Sequence, residues 1–165
     1  MSFLKEYNKF KIFLLKKENI FLLVFIVLIF YLDRYSKTQI INNFIENSFF
    51  INDYINLDLI WNTGIGFGLF NSNEPLVYNF FTIFIAIAIL VLLYVAIISN
   101  KSEKIIFSII IGGALGNFYD RLFYNAVPDF IDLHYGSFHW FTFNVADIFI
   151  TIGIVMFLIW GIKKR

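Results

Sequence analysis

Four apolar runs divide the chain. Residues 20–32 are apolar without interruption, and the helical pattern continues through D-R-Y-S-K to about position 37. Residues 76–98 form a second run of 23 with few polar positions. The third, 105–118, has only 14 residues. It reaches one bilayer crossing of about 20 residues when 119–124 are added. Residues 143–162 form the fourth. No repeat, low-complexity segment or linker interrupts the series. The pattern predicts an all-α membrane protein, a four-transmembrane-helix bundle in one integral domain over 1–165, with spans at about 20–37, 76–98, 105–124 and 143–162.

The segments between spans differ in character. Residues 38–75 form a long extracytoplasmic segment, mixed in polarity over 38–68. Within it 54–61 alternates, with Asn56 and Asp58 polar between Ile55, Leu57 and Leu59. A period of two predicts a short strand on the outer surface. Residues 125–142 carry Phe130, Tyr135, Phe138, Trp140 and Phe141. They read as an aromatic loop resting in the headgroup layer.

Composition strengthens the membrane reading. The chain is 59% apolar and 15% charged, against about 45–50% and about 25% in soluble domains; mean hydropathy is +0.75. Ten of the thirteen Lys and Arg residues flank the same ends of the spans: Lys5, Lys9, Lys11, Lys16 and Lys17; Lys101 and Lys104; and Lys163, Lys164 and Arg165. The excess of cations on cytoplasmic loops places both termini in the cytoplasm. Of the acids, only Glu6, Glu18 and Glu103 fall on that side. An A-x-A-like cleavage site is missing after the first run, so the first helix is expected to be retained.

Several chemistries are disfavoured. There is no cysteine, hence no disulfide or thiolate nucleophile. His134 and His139 lie in one loop, and H-E-x-x-H does not occur. Gly64, Gly66 and Gly68 lack the Lys-Ser/Thr of a phosphate loop. No metal, cofactor or nucleic acid is implied.

The polar residues converge at one depth. At about 1.5 Å per helical residue, Asp33 lies roughly 20 Å and Asp120 roughly 22 Å from the inner boundary, and Asp147 about 6 Å below the outer one. In a hydrocarbon core of about 30 Å, all three occupy the outer third. Asp129 follows the third span closely enough to reach the same layer. Ionisable groups at such positions mark a functional site by default.

Each group also has a plainer reading. Asp33 and Lys37, spaced i,i+4, form a favourable pair on one helix face, which an interfacial salt bridge explains. Asp120 and Arg121 mark the membrane edge equally well, with Arg121 snorkelling. Gly112 and Gly116 suit close helix packing. Asn117 and Asn144 suit either helix capping or contact with a substrate backbone. Asp147 is too deep for a routine surface charge and needs a partner. If that partner is Asp129, the two carboxyls share a proton, one accepting a proton from water while the other donates to a carbonyl oxygen.

Two other readings are open. A small transporter or non-catalytic scaffold would use intramembrane Asp and Arg as an ion path. Such a path needs polar residues in the inner half, where Thr82, Ser108 and Thr151 are the candidates. A serine/lysine peptidase built on Ser36 and Lys37 is disfavoured, since adjacent helical residues point about 100° apart.

Five motifs resemble the lipoprotein signal peptidase, or signal peptidase II, family of bacterial membrane aspartyl endopeptidases: D-R-Y-S-K (33–37), N-T-G-I-G-F (62–67), G-N-F-Y-D-R (116–121), V-P-D-F-I-D (127–132) and F-N-V-A-D (143–147). The resemblance covers nearly the whole chain. It implies a catalytic pair, Asp129 and Asp147, with Asn62, Gly64, Asn117, Arg121 and Asn144 lining the substrate site. Asp33, Lys37 and Asp120 match supporting positions, and the match leaves Asp132 as support. It also implies a small extracytoplasmic β-sheet and an adjoining short helix in 38–61. The implied substrate is a diacylglyceryl-modified prolipoprotein cut before its lipidated cysteine. The implied setting is the bacterial inner membrane, with the site near the outer face, membrane lipids as neighbours, globomycin-type inhibitors as ligands and a monomeric enzyme. Two positions depart from the family pattern: Pro128 stands where valine is usual, and Gly66 where alanine is usual.

Overall fold

A computed structural model describes residues 16–43, 48–64 and 75–163. The Gly66 departure and the basic residues before 16 and after 163 lie outside these. Among the described residues, four helices are long and apolar enough to cross a membrane: α1 (Lys17–Asn43), α2 (Pro75–Ile98), α3 (Lys101–Tyr124) and α4 (Val145–Lys163). α1 and α3 run past the apolar stretches that announced them. Backbone hydrogen bonding continues into polar sequence wherever side chains find partners.

The helix ends explain the turns. Asn100 caps α3, its side chain accepting from the Glu103 N–H at 3.1 Å. Lys104, one turn later, is buried rather than solvated. Its Nζ donates to Asn19 Oδ1 at 2.9 Å and to the carbonyls of Ala96 and Ile97 at 3.2 and 2.5 Å. It thereby satisfies the carbonyls left open at the end of α2. At its other end α3 stops at Asn125, whose φ of 54° is left-handed. That conformation suits asparagine better than most residues.

The chain then enters a sheet rather than the aromatic loop expected at 125–142. Strands β1 (Phe49–Asn52), β2 (Ile55–Asn62), β3 (Val127–Tyr135) and β4 (Phe138–Phe143) form an antiparallel sheet in the order β1-β2-β3-β4. The alternating segment forms a strand, β2, as its period of two predicts, and it is one of the four in this sheet. The region 38–61 holds the end of α1 and two strands, with no separate short helix among the described residues. Gly136, with φ of +60°, turns β3 into β4, and Tyr135 pairs with Phe138 across it. Pro128 pairs with Trp61 of β2, and β4 begins to pair only opposite Ile131. Pro128 therefore lies where β3 has one neighbour, so its missing N–H is tolerated.

α3 is the central helix, packed against the other three. The buried core joins Leu22 and Ile26 of α1, Ile89 and Ala96 of α2, and Phe107 and Ile111 of α3. Gly113 and Gly116 let two neighbours approach closely. A Cβ on Gly113 would lie 2.6 Å from the Ala146 carbonyl oxygen, and one on Gly116 would lie 2.9 Å from Asp33 Cγ. The first contact brings in the start of α4; the second admits a carboxylate between α1 and α3.

Candidate active site

The site forms where the late turns of α1 and α3, the first turns of α2 and α4, and the β2–β3 ladder meet. Asp147 is in the first turn of α4. Its carboxylate Oδ2 accepts the Asn144 N–H at 3.2 Å, and Asn144 Oδ1 accepts the Asp147 N–H at 3.1 Å. This reciprocal pair is a capping box, with Asp in place of the usual Glu or Gln. It fixes the carboxylate against the positive end of α4. Asp129 arrives from β3, opposite Ile60. Asn62, two residues beyond Ile60, shares that face of the ladder and is the diagonal neighbour of Asp129.

Three asparagines hold the two carboxylates. Asn62 Nδ2 donates to Asp129 Oδ2 at 2.9 Å, and Asn144 Nδ2 donates to Asp129 Oδ1 at 2.6 Å. Asn117 Nδ2 donates to Asp147 Oδ1 at 2.8 Å. Each amide is oriented by what its oxygen accepts: the Gly64 N–H for Asn62 at 2.8 Å, the Asp147 N–H for Asn144, and the Lys37 ammonium for Asn117 at 2.7 Å. With the oxygen engaged, the NH2 group must turn to the carboxylate. Asn144 thus touches both aspartates at once.

Arg121, also buried, donates to Gly64 O at 2.9 Å and Asn117 O at 3.2 Å. Its own carbonyl accepts from the Tyr78 hydroxyl at 3.0 Å. Asp129 is almost fully enclosed. Burial foremost, and then the charge of Asp147, push its pKa up to about 6, against the opposing hydrogen bonds from Asn62 and Asn144. Desolvation and a like charge both penalise the ionised form.

Beside this pair lies a second polar cluster. Lys37 Nζ donates to Asp33 Oδ2 at 2.9 Å, Asp120 Oδ2 at 2.7 Å and Asn117 Oδ1 at 2.7 Å. All three of its protons are used. Arg34 Nη1 lies 2.6 Å from Asp120 Oδ1, and its guanidinium sits 4.8 Å from the Tyr119 ring centroid. Asp33 Oδ1 accepts the Ala146 N–H at 3.0 Å and so caps α4 from α1. The Asp33–Lys37 pair expected from its i,i+4 spacing forms, and with Asp120 it is fully buried.

Of the site residues expected from sequence, the structure gathers all but Asp132 into this one region. Gly64 takes part through its backbone alone. Arg34 and Tyr78 were missed. Arg34 adjoins Asp33 and was legible as a cation at the edge of the span; nothing in the sequence points to Tyr78. Ser36 donates its hydroxyl to the Asp33 carbonyl at 2.8 Å, which turns it back on its own helix. Thr82 and Ser108 likewise bond Tyr78 O and Ile105 O within their helices, so neither extends a polar path inward. Asp132, on the opposite face of β3 from Asp129, pairs with His139 Nδ1 at 2.7 Å.

Asp129 and Asp147 form one wall of a cavity of about 360 Å³, within the range of small-ligand sites. Asn62, Asn117, Arg121 and Asn144 supply its other polar atoms, and Ile85, Ile89 and Leu92 of α2 close it with apolar surface. A polar head opening onto an apolar shaft suits a peptide whose scissile bond adjoins a hydrophobic segment.

The profile of the Signal peptidase (SPase) II family matches residues 25–163, which include the whole site. The chain belongs to the signal peptidase II family. Lipoprotein signal peptidases are similar to it at 48% identity in Pelagibacter ubique (strain HTCC1062), covering 83% of this chain and 85% of that one, and at 39% in Anaplasma marginale (strain Florida), covering 86% and 84%. A solved bacterial membrane enzyme structure, determined by the in meso method at 2.3 Å resolution, superposes with a TM-score of 0.74 at 30% identity, covering 86% of this chain and 87% of that one. This signal peptidase II is therefore a protease and an integral bacterial membrane protein.

Proposed function

We propose that this signal peptidase II cleaves diacylglyceryl-modified prolipoproteins just before the lipidated cysteine, with Asp129 and Asp147 as the catalytic pair. Family and relatives support cleavage of prolipoprotein signal peptides. One observation carries the assignment of the pair: both carboxylates face one cavity, are bridged by Asn144, and among the described residues accept from neutral donors alone. Such donors satisfy the oxygens without cancelling charge, so the pair favours sharing one proton.

The reaction follows from that shared proton. Asp147, at the positive end of α4, takes a proton from water as the oxygen attacks the carbonyl carbon. Asp129 gives its proton to the carbonyl oxygen. The resulting diol collapses: Asp147 passes its proton to the departing amide nitrogen, Asp129 recovers one from a hydroxyl, and the C–N bond breaks. An acid and a free amine leave, and the pair is restored. Arg121 and the asparagines position the substrate's carbonyls.

Lys101, Lys104 and Lys163 lie at the helix ends away from the site, which supports cytoplasmic termini and an active site near the outer face. There the pair draws water from outside while the acyl chains stay in lipid. Globomycin-type cyclic peptides are expected in the same cavity, and a monomer is the proposed working unit. The test is cleavage of a synthetic diacylated prolipoprotein by purified protein in lipid. Cleavage before the cysteine, unaffected by EDTA and blocked by globomycin, is expected. Equal cleavage of the unlipidated precursor, or loss with EDTA, would refute the proposal.

A further inference from the structure

Asp147 lines two cavities. The second, of about 260 Å³, lies between the sheet and α4. Leu133, Phe141, Phe143, Ile148 and Ile152 form it, and Asp147 and Thr151 are the walls it shares with the first. Phe141, Ile148 and Ile152 remain 39%, 36% and 46% exposed, so this groove opens onto the surroundings of the bundle.

A scissile bond held at the catalytic pair sends its two halves in different directions. The peptide half needs partners for its carbonyls and N–H groups; Asn62, Asn117, Arg121 and Asn144 all face the first cavity. Among the described residues, the second offers the Thr151 hydroxyl alone besides Asp147 itself. An acyl chain needs no hydrogen bond, and a groove open to lipid admits it without crossing polar surface. Resting on the proposed function, the geometry points to the groove between β3–β4 and the outer turns of α4 as the subsite for an acyl chain of the substrate's diacylglyceryl group, with the signal peptide in the cavity beneath α2. Chains leaving the bilayer gain no hydrophobic burial. The groove therefore acts by shape, aligning the lipidated residue with Asp147.

Two measurements test this. The first uses lipopeptide substrates carrying a photoreactive diazirine, either midway along an acyl chain or on a signal-peptide side chain, with a phosphatidylglycerol bearing the same acyl diazirine as control. The acyl probe is expected to label Leu133, Phe141, Ile148 or Ile152, in competition with unlabelled lipopeptide, and the peptide probe to label Ile85, Ile89 or Leu92. Acyl labelling of the α2 residues, or groove labelling that the lipopeptide does not displace and the phospholipid matches, would overturn the assignment. The second fills the groove. Ile152→Trp is expected to raise KM for the diacylated substrate by about fivefold or more, the low end of what overpacking costs, with kcat little changed. Ile83→Trp, on a lipid-exposed position of α2, is expected to leave both unchanged. An unchanged KM in Ile152→Trp overturns the groove while the function stands. Failure of the wild-type protein to cleave the lipopeptide overturns the function and the groove together.

Discussion

Two buried carboxylate pairs lie side by side, and they are solved differently. Asp33 and Asp120 meet cations: Lys37 touches both, and Arg34 lies against Asp120. With two acids and two bases, the cluster is neutral. Asp129 and Asp147 have comparable hydrogen bonding, yet among the described residues their donors are neutral amides and N–H groups. Their charge is tolerated but not cancelled. Under the proposed mechanism the first arrangement stores no reactivity, and the second holds the proton that moves. Lys37 joins them through Asn117, so the structural cluster orients the reactive one without neutralising it.

Removing a carboxylate should separate the pairs most sharply. Asp129→Asn and Asp147→Asn are each expected to lower the cleavage rate by about 10²–10⁴-fold or more, the scale of lost acid–base catalysis, while the protein still inserts and folds. A gel-shift assay of prolipoprotein processing measures this, and full activity in either variant would refute the mechanism. Lys37→Met should act on stability instead, leaving Asp33 and Asp120 short of one charge. Breaking a buried ion pair costs about 3–5 kcal/mol. Adding Asp33→Asn should recover part of that loss, because the amide oxygen it leaves in place can still accept the Ala146 N–H. A double variant no more stable than Lys37→Met would show that charge balance is not what the cluster supplies.

Only half of this contrast was legible in the sequence. Asp33 and Lys37 share a helix face by spacing, and bilayer-length apolar runs announced the four helices. The link from Lys37 to Asn117 spans 80 positions and exists only once α1 and α3 pack through Gly116. The β3–β4 hairpin has the sequence pattern of a loop. Asp129 and Asp132 are three apart and face opposite sides of β3, so polar residues fall on both faces and blur the period of two. Pro128 weakened the strand signal further, though a turn glycine at 136 between aromatic residues was there to be read. Lys104 counted as a cytoplasmic charge, but its ammonium is spent on helix-end carbonyls that sequence does not reveal.

Proton sharing makes a finer prediction. Because burial and Asp147 push Asp129 up to about 6, the native protein holds this proton to higher pH than the unfolded chain. The resulting stability is complete below the unfolded value and is lost as pH rises through about 6. In the free enzyme, kcat/KM should fall over the same interval as the shared proton leaves. Asp147→Asn removes the neighbouring charge and should bring the Asp129 titration down, followed by isotope-edited infrared spectroscopy of the carboxyl band. An unmoved titration would mean that the two carboxyls do not interact. Asn144→Ala should weaken both links: about 1 kcal/mol of stability as a lost cap, and about 10–100-fold in kcat/KM as a lost charge-assisted hydrogen bond.

The smallest effect is expected at the third acid–base contact, Asp132 with His139. Asp132 is buried like the others, but the His139 side chain is 57% exposed and faces away from the catalytic wall. Water screens such a pair, which is worth about 0–1 kcal/mol. His139→Ala should therefore leave kcat/KM unchanged and lower the melting temperature by at most a few degrees. The same substitution separates burial from function. If it cut activity as deeply as Asn144→Ala, the β3–β4 hairpin would be transmitting force to Asp129 along the strand. The contrast between the clusters would then lie in the sheet rather than in the charge of the donors.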